Sequence, residues 1–187
     1  MFERVALIGI GLINSSIARF MKRDGLAREI IIYSRRKLTA DKAMELGLGD
    51  RAETNMATAV EGADLVILGA PVGANTAIAQ AIGPRLMPGA IVTDVGSVKG
   101  AVIRHVAPHL PKGVHLVPAH PVAGTEHSGP EAGFSELFEN HWCILTPPEG
   151  CDPTAVEKIA ELWRHAGSMI DIMDAAHHDK VLAITSH

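Results

Sequence analysis

The sequence predicts an α/β fold, a doubly wound and mostly parallel sheet with helices on both faces. Three observations carry this. Short apolar runs of β type alternate with helical patterns almost to the end of the chain. Those runs are nearly continuous in apolar residues, as strands covered on both faces are. The first run leads through a glycine-rich turn directly into a helix, the connection that parallel strands require.

Taken in order, strands are expected at Arg4–Ile8, Glu29–Tyr33, Leu65–Leu68, Ala90–Asp94 and Val114–Pro118. Helices are expected at Leu12–Arg23, Leu38–Leu46, Ala74–Leu86 and Lys99–His109. His141–Thr146 and Met169–Met173 read as further strands. Asp152–His165 reads as a helix with Pro153 in its first turn and Gly167 just past its end, the positions these two residues favour. Ala175–Ile184 is helical and reaches Thr185-Ser186-His187 without an evident cap. It is either a frayed terminal helix or the start of a further domain that the chain does not contain. No repeat, low-complexity tract or linker interrupts the pattern.

Composition narrows the function classes. The chain has 187 residues, a formal net charge of −4 and 47% apolar content, which suits one compact domain or one domain and the start of another. There is no basic excess of the kind nucleic acid demands, and no apolar run long enough to span a bilayer. The N-terminus starts on a strand pattern without a charged leader. Cys143 and Cys151 form neither a CxxC pair nor a disulfide framework. A reduced, cytoplasmic protein is expected.

Gly9-x-Gly11-x-x-Asn14 lies between the first strand and the first helix. The first glycine permits the tight turn, and the second lets the backbone, with Leu12 and Ile13, approach a pyrophosphate at the helix N-terminus. The third position usually carries a small residue and here carries Asn14. The context is that of a Rossmann-type dinucleotide fingerprint. About 20 residues on, such folds place an acid that binds the ribose 2′-hydroxyl of NAD. This chain has Ser34-Arg35-Arg36-Lys37. A hydroxyl and two guanidinium groups suit a 2′-phosphate, which a carboxylate would repel. The expected cofactor is therefore NADP, with NAD the second choice. The bland alternative for this run is a solvated basic turn.

In a doubly wound sheet, ligands bind across the carboxyl ends of the strands. One such end is Gly69-Ala70-Pro71-Val72, small enough to pass under a ribose and nicotinamide. A second is Asp94-Val-Gly-Ser97-Val-Lys-Gly100, and a third runs to His120-Pro-Val-Ala-Gly-Thr125-Glu126. Ser97 and His120 are expected to face one another near the nicotinamide. Histidine suits the removal of a hydroxyl proton because its pKa lies near operating pH. Ser97 would orient the imidazole or bond the same hydroxyl, unless it is only the N-cap of the next helix. The ten histidines show no metal-ligand spacing, and no metal is expected. His177 and His178 are adjacent and fall on different sides of a helix.

These segments together, Gly9-Ile-Gly11-Leu-Ile, Asp94-Val-Gly-Ser97-Val-Lys-Gly, His120-Pro-Val-Ala-Gly-Thr-Glu126 and Thr185-Ser-His187, resemble the prephenate dehydrogenase family, which includes arogenate and cyclohexadienyl dehydrogenases of tyrosine biosynthesis. The resemblance covers essentially the whole chain. It implies oxidative decarboxylation of prephenate or arogenate, with His120 as proton acceptor and Ser97 beside it. It further implies that Thr125, Glu126 and His187 border the substrate. The family continues into a helical domain that forms a homodimer, so the resemblance divides this chain into a dinucleotide-binding domain, 1–173, and the start of a linking helix, 174–187. Two other readings remain open: a β-hydroxyacid dehydrogenase, which by resemblance would use a lysine of a following domain, and a non-catalytic NADP-binding module.

Overall fold

The computed structural model describes residues 1–185. Six parallel strands form the main sheet in the order β3-β2-β1-β4-β5-β6. They are β1 (Phe2–Ile8), β2 (Ala27–Tyr33), β3 (Arg51–Glu53), β4 (Leu65–Leu68), β5 (Ile91–Asp94) and β6 (His115–Leu116). This order reverses between β1 and β4, the switch point at which doubly wound sheets bind ligands. Tyr33, Ile8, Leu68 and Asp94 lie in one row across the sheet, so the segments that follow them share one edge.

Two apolar layers hold the sheet. On one face Leu7, Ile32 and Ile67 pack with Ile17 and Phe20 of α1 (Leu12–Asp24) and with Ile159 and Trp163 of α6 (Pro153–His165). Phe138 meets Phe20 and Trp163 there edge to face, with centroids 5.9 and 5.0 Å apart, and Phe20 and Trp163 lie tilted to each other at 6.5 Å. Truncating any of the three to alanine would cost about 3–5 kcal/mol. On the other face Ala6, Ile8, Val66 and Val92 pack with Ile78 and Ile82 of α4 (Asn75–Ile82) and Val102 and Val106 of α5 (Lys99–Val106).

The remaining elements are short or peripheral: α2 (Lys37–Glu45), α3 (Met56–Val60) and α7 (Ala175–Thr185). The sequence patterns of β3 and α3 are too short to stand out as periodic. The expected helices Ala74–Leu86 and Lys99–His109 are each an α-helix finished by a 3₁₀ turn containing proline, at Gly83–Arg85 and Ala107–His109.

The main departure from expectation is at Val114–Pro118, which does not run on to His120 in one sheet. Val117 N–H makes the last ladder bond, to Val92 O at 2.9 Å. Pro118 has no N–H to continue the ladder, and its carbonyl instead accepts from Thr146 N–H. The chain thereby enters a second sheet of β7 (Ala119–Pro121), β8 (Trp142–Leu145) and β9 (Met169–Ile172). There β7 is antiparallel to β8 and β9 is parallel to it. No helix among the described residues is long and apolar enough to cross a membrane.

Candidate active site

The nucleotide half of the edge is built locally. Gly9 has φ +89°, and a Cβ there would press on the Gly69 carbonyl at 3.2 Å, so the turn from β1 to α1 requires glycine. Gly11 faces open space. It is the N-cap of α1, with no side-chain cap and no acid in the first turn. The first-turn N–H groups of α1, around Leu12 and Ile13, are thus left for an outside anion.

Asn14 packs inside the turn. It is fully buried, and its Nδ2 donates to Gly9 O at 2.9 Å. A Cβ on Gly69 would meet that Nδ2 at 2.3 Å. Asn14 and Gly69 therefore fit together where the fingerprint usually has a small residue in the helix.

Beside this turn is a cavity of about 480 Å³ lined by Gly9, Ser34, Arg35, Met56, Ala70, Pro71 and the first turns of α4. Ser34 is buried and its Oγ accepts the Arg36 N–H at 3.3 Å. Arg35 lines the cavity, whereas the Arg36 side chain is only exposed. Val72 is exposed in the turn before α4. A flat apolar wall, a cationic mouth and an open helix end fit a dinucleotide.

The reaction half is assembled from distant segments. Lys99 and Asp94 are completely buried against each other, and Lys99 Nζ also donates to Ala119 O at 2.7 Å. Asp94 accepts from Gly96 N–H at 2.9 Å and Ala119 N–H at 3.2 Å. Burial pushes Asp94 up and Lys99 down, and the charge of each opposes the other's shift. This pair fastens the start of β7 to the end of β5, which places His120 near Ser97. Both residues line a cavity of about 250 Å³ with Val98, Asp179, Leu182 and Ala183.

Ser97 is exposed and is not the N-cap of α5. Asp179 of α7 caps that helix, accepting Lys99 N–H at 2.8 Å and Gly100 N–H at 2.9 Å. Nor does Ser97 hold the imidazole. His120 Nδ1 lies 2.9 Å from His178 Nε2, and His178 Nδ1 lies 2.9 Å from Asp179 Oδ1. Burial, His178 and Lys99 together lower the His120 pKa to about 4, with Asp179 opposing. The ring is neutral at physiological pH. Asp179 is held below the ordinary carboxylate range. Burial opposes this, but hydrogen bonds from Lys99 N–H, His178 and Gly100 N–H prevail.

Thr125 and Glu126 lie exposed on the loop after β7, where Thr125 Oγ1 accepts from His127 N–H. They do not line the cavity of His120. That loop is seated on α1 farther along, where Phe134 N–H donates to Ser16 Oγ at 3.1 Å. His187 lies outside the described residues. Sequence reasoning did not single out Asp94, Lys99, His178 or Asp179. A histidine followed by an aspartate near the start of α7 was the available signal for the last two.

The sheet order, the open end of α1 and the two cavities define a dinucleotide-binding α/β domain with a histidine-bearing pocket at the same edge. Comparison with known proteins resolves the class further. The family model described as "Prephenate dehydrogenase, nucleotide-binding domain" matches residues 17–172, and the chain belongs to that family. It is 44% identical over 186 residues to the cyclohexadienyl dehydrogenase of Zymomonas mobilis, covering 100% of this chain and 63% of that protein. The structure of prephenate dehydrogenase from A. aeolicus in complex with hydroxyphenyl propionate and NAD+ matches with a TM-score of 0.90 and 31% identity. That match covers 97% of this chain and 63% of the other. Synechocystis arogenate dehydrogenase gives 0.90 and 31%, over 98% of this chain and 64% of the other. The chain thus spans less than two thirds of the length of these relatives.

Proposed function

We propose that this chain is the nucleotide-binding and proton-accepting part of an NADP-dependent dehydrogenase that oxidatively decarboxylates prephenate, arogenate or both. The observation that carries the reading is the neutral, partly buried His120 in a cavity shared with Ser97, next to a dinucleotide cleft. Gly9, Gly11, Leu12 and Ile13 would hold the pyrophosphate. Ser34 and Arg35, with Arg36 at the mouth, would take the 2′-phosphate, and Ala70, Pro71 and Val72 would border the nicotinamide riboside. The A. aeolicus relative holds NAD+, which makes NAD the second choice here. The functional unit is a homodimer, with 1–173 as the nucleotide domain and 174–187 as the start of the linking helix.

The nicotinamide, when bound, supplies the hydride acceptor for the ring carbon that bears the substrate hydroxyl. His120 takes the hydroxyl proton at Nε2, since Nδ1 is already engaged with His178. Ser97 donates to the same hydroxyl oxygen and holds it against the ring nitrogen. As the carbonyl character develops, the ring carboxylate leaves as carbon dioxide and its bonding pair completes the aromatic ring. Thr125 and Glu126 would border the substrate entrance, and His187, outside the described residues, is assigned there by the family resemblance alone.

The test is the initial rate of NADP+ reduction with prephenate and with arogenate, for the wild type and His120→Asn. Substrate-dependent reduction is expected. The substitution should lower it about 10²–10⁴-fold, the usual worth of a general base, without altering NADP+ affinity. Turnover that survives the substitution would sink the assignment of His120.

A further inference from the structure

A lone imidazole does not by itself offer a chosen nitrogen to a substrate. The partner of His120 lies in α7. His178 is the only buried residue of that helix. Its two ring nitrogens are both occupied, Nε2 by His120 Nδ1 and Nδ1 by Asp179 Oδ1, each at 2.9 Å. The rings of His120 and His178 stand edge to face at 5.1 Å. Asp179 is itself anchored by two backbone N–H groups at the start of α5.

The direction of this chain of bonds follows from its last member. Asp179 already accepts from the N–H groups of Lys99 and Gly100, and an ionised carboxylate has no proton to give. His178 must therefore donate from Nδ1. With a single ring proton, on Nδ1, His178 has only an acceptor at Nε2, and His120 then donates from Nδ1. That leaves the lone pair of His120 on Nε2. We propose that His178 and Asp179 are positioning residues that lock His120 in its Nδ1–H tautomer, with Nε2 as the base. The proposal rests on the catalytic reading of His120 for its function, though not for its geometry.

The arrangement has two consequences. In water the Nε2–H form of histidine is the commoner one, so without His178 the ring would present a donor where the reaction needs an acceptor. When Nε2 gains a proton, the new imidazolium stays hydrogen-bonded to His178 and within the field of Asp179, as in other histidines oriented by a carboxylate-held partner. The buried Lys99 works against that positive charge. This sets Asp179 as the compensating group.

The experiment is nitrogen-15 NMR of the histidine ring nitrogens in the intact chain at neutral pH, with His120 assigned by its loss in His120→Asn. The wild type should show a proton on His120 Nδ1 and a bare Nε2. A wild-type ring protonated on Nε2 overturns the proposal, with no variant needed. In His178→Phe the His120 signal should move to the Nε2–H form, and kcat should fall about 10–100-fold, the typical effect of removing an orienting partner, with KM within about twofold. His178→Gln, whose amide oxygen still accepts, should retain the Nδ1–H ring and more of kcat than His178→Phe. An unchanged His120 tautomer in a folded His178→Phe protein also overturns it. A protein with the Nδ1–H ring but no turnover would sink the reaction and leave the tautomer assignment standing.

Discussion

Two helices begin at the same edge of the main sheet, and their N-termini are treated in opposite ways. The start of α1 has glycine at its N-cap, no capping side chain and no acid in its first turn. The start of α5 is stoppered by Asp179, which reaches it from another helix and takes two of its N–H groups. Both ends carry the same partial positive charge. At α1 that charge is left for a ligand. At α5 it is spent on a carboxylate, which in turn holds His178 and, through it, His120. One kind of element end is thus left open in one place and in the other anchors the pair that holds His120.

The largest way to break the anchored end is to remove the cation beneath it. Lys99→Met would leave the buried Asp94 carboxyl without its cation, with only its N–H donors. Breaking a buried pair from one side costs about 3–5 kcal/mol. Denaturant unfolding should show a loss of that size. A further Asp94→Asn exchange should recover part of it, because the uncompensated charge is gone. A loss below 1 kcal/mol would mean that the pair does not fasten β7 to β5.

The open end can be converted into the stoppered kind. Gly11 has φ −90° and ψ −161° and faces open space, so an aspartate fits there without strain and can cap α1 itself. Gly11→Asp should leave stability unchanged or a few tenths of a kcal/mol higher. Nucleotide affinity should fall about 10–150-fold, the worth of a charge-assisted hydrogen bond of roughly 1.5–3 kcal/mol. Titration of NADP+ against both proteins measures it. Undiminished affinity would show that the pyrophosphate does not sit on α1.

The same contrast explains what could be read from sequence. The open end is local: Gly9, Gly11 and the helix after them lie within a few residues, and the rule that links them to a phosphate is a spacing rule. The element order of the main sheet was legible for a similar reason, since apolar runs and helical periods are local signals. The anchored end is not local. Lys99 meets Ala119, and Asp179 meets Lys99 and Gly100, across stretches whose folding alone brings them together. Ser97 was legible as a member of the edge but not in its surroundings, because the cap it would have supplied comes from Asp179. His178 was passed over because adjacency to His177 argues only against a metal and says nothing about a ring on a distant strand. Pro118 shows the converse. Its missing N–H was in the sequence, yet only the second sheet beyond it reveals that the strand had to end there.

The smallest expected effect concerns the mouth of the open end, where Ser34 and Arg35 border the cleft. Ser34 lies one residue past β2, in the place where an acid would select NAD. Its hydroxyl is turned onto the Arg36 N–H, and an aspartate carboxylate can accept the same bond, so Ser34→Asp should fold normally. The new charge would face a 2′-phosphate but accept from a 2′-hydroxyl. Like-charge repulsion near a surface with two arginines beside it is partly screened, and a shift of about tenfold in the NADP+ to NAD+ affinity ratio, equal to about 1.4 kcal/mol, is expected. Paired titrations of the two nucleotides read that ratio directly. If it does not move, the 2′ end of the nucleotide lies away from Ser34, and Arg35 alone, or neither residue, governs the choice. If it moves while Gly11→Asp weakens both nucleotides alike, the two halves of the open end have separate tasks. α1 then holds the phosphates common to both cofactors, and the β2 turn tells them apart.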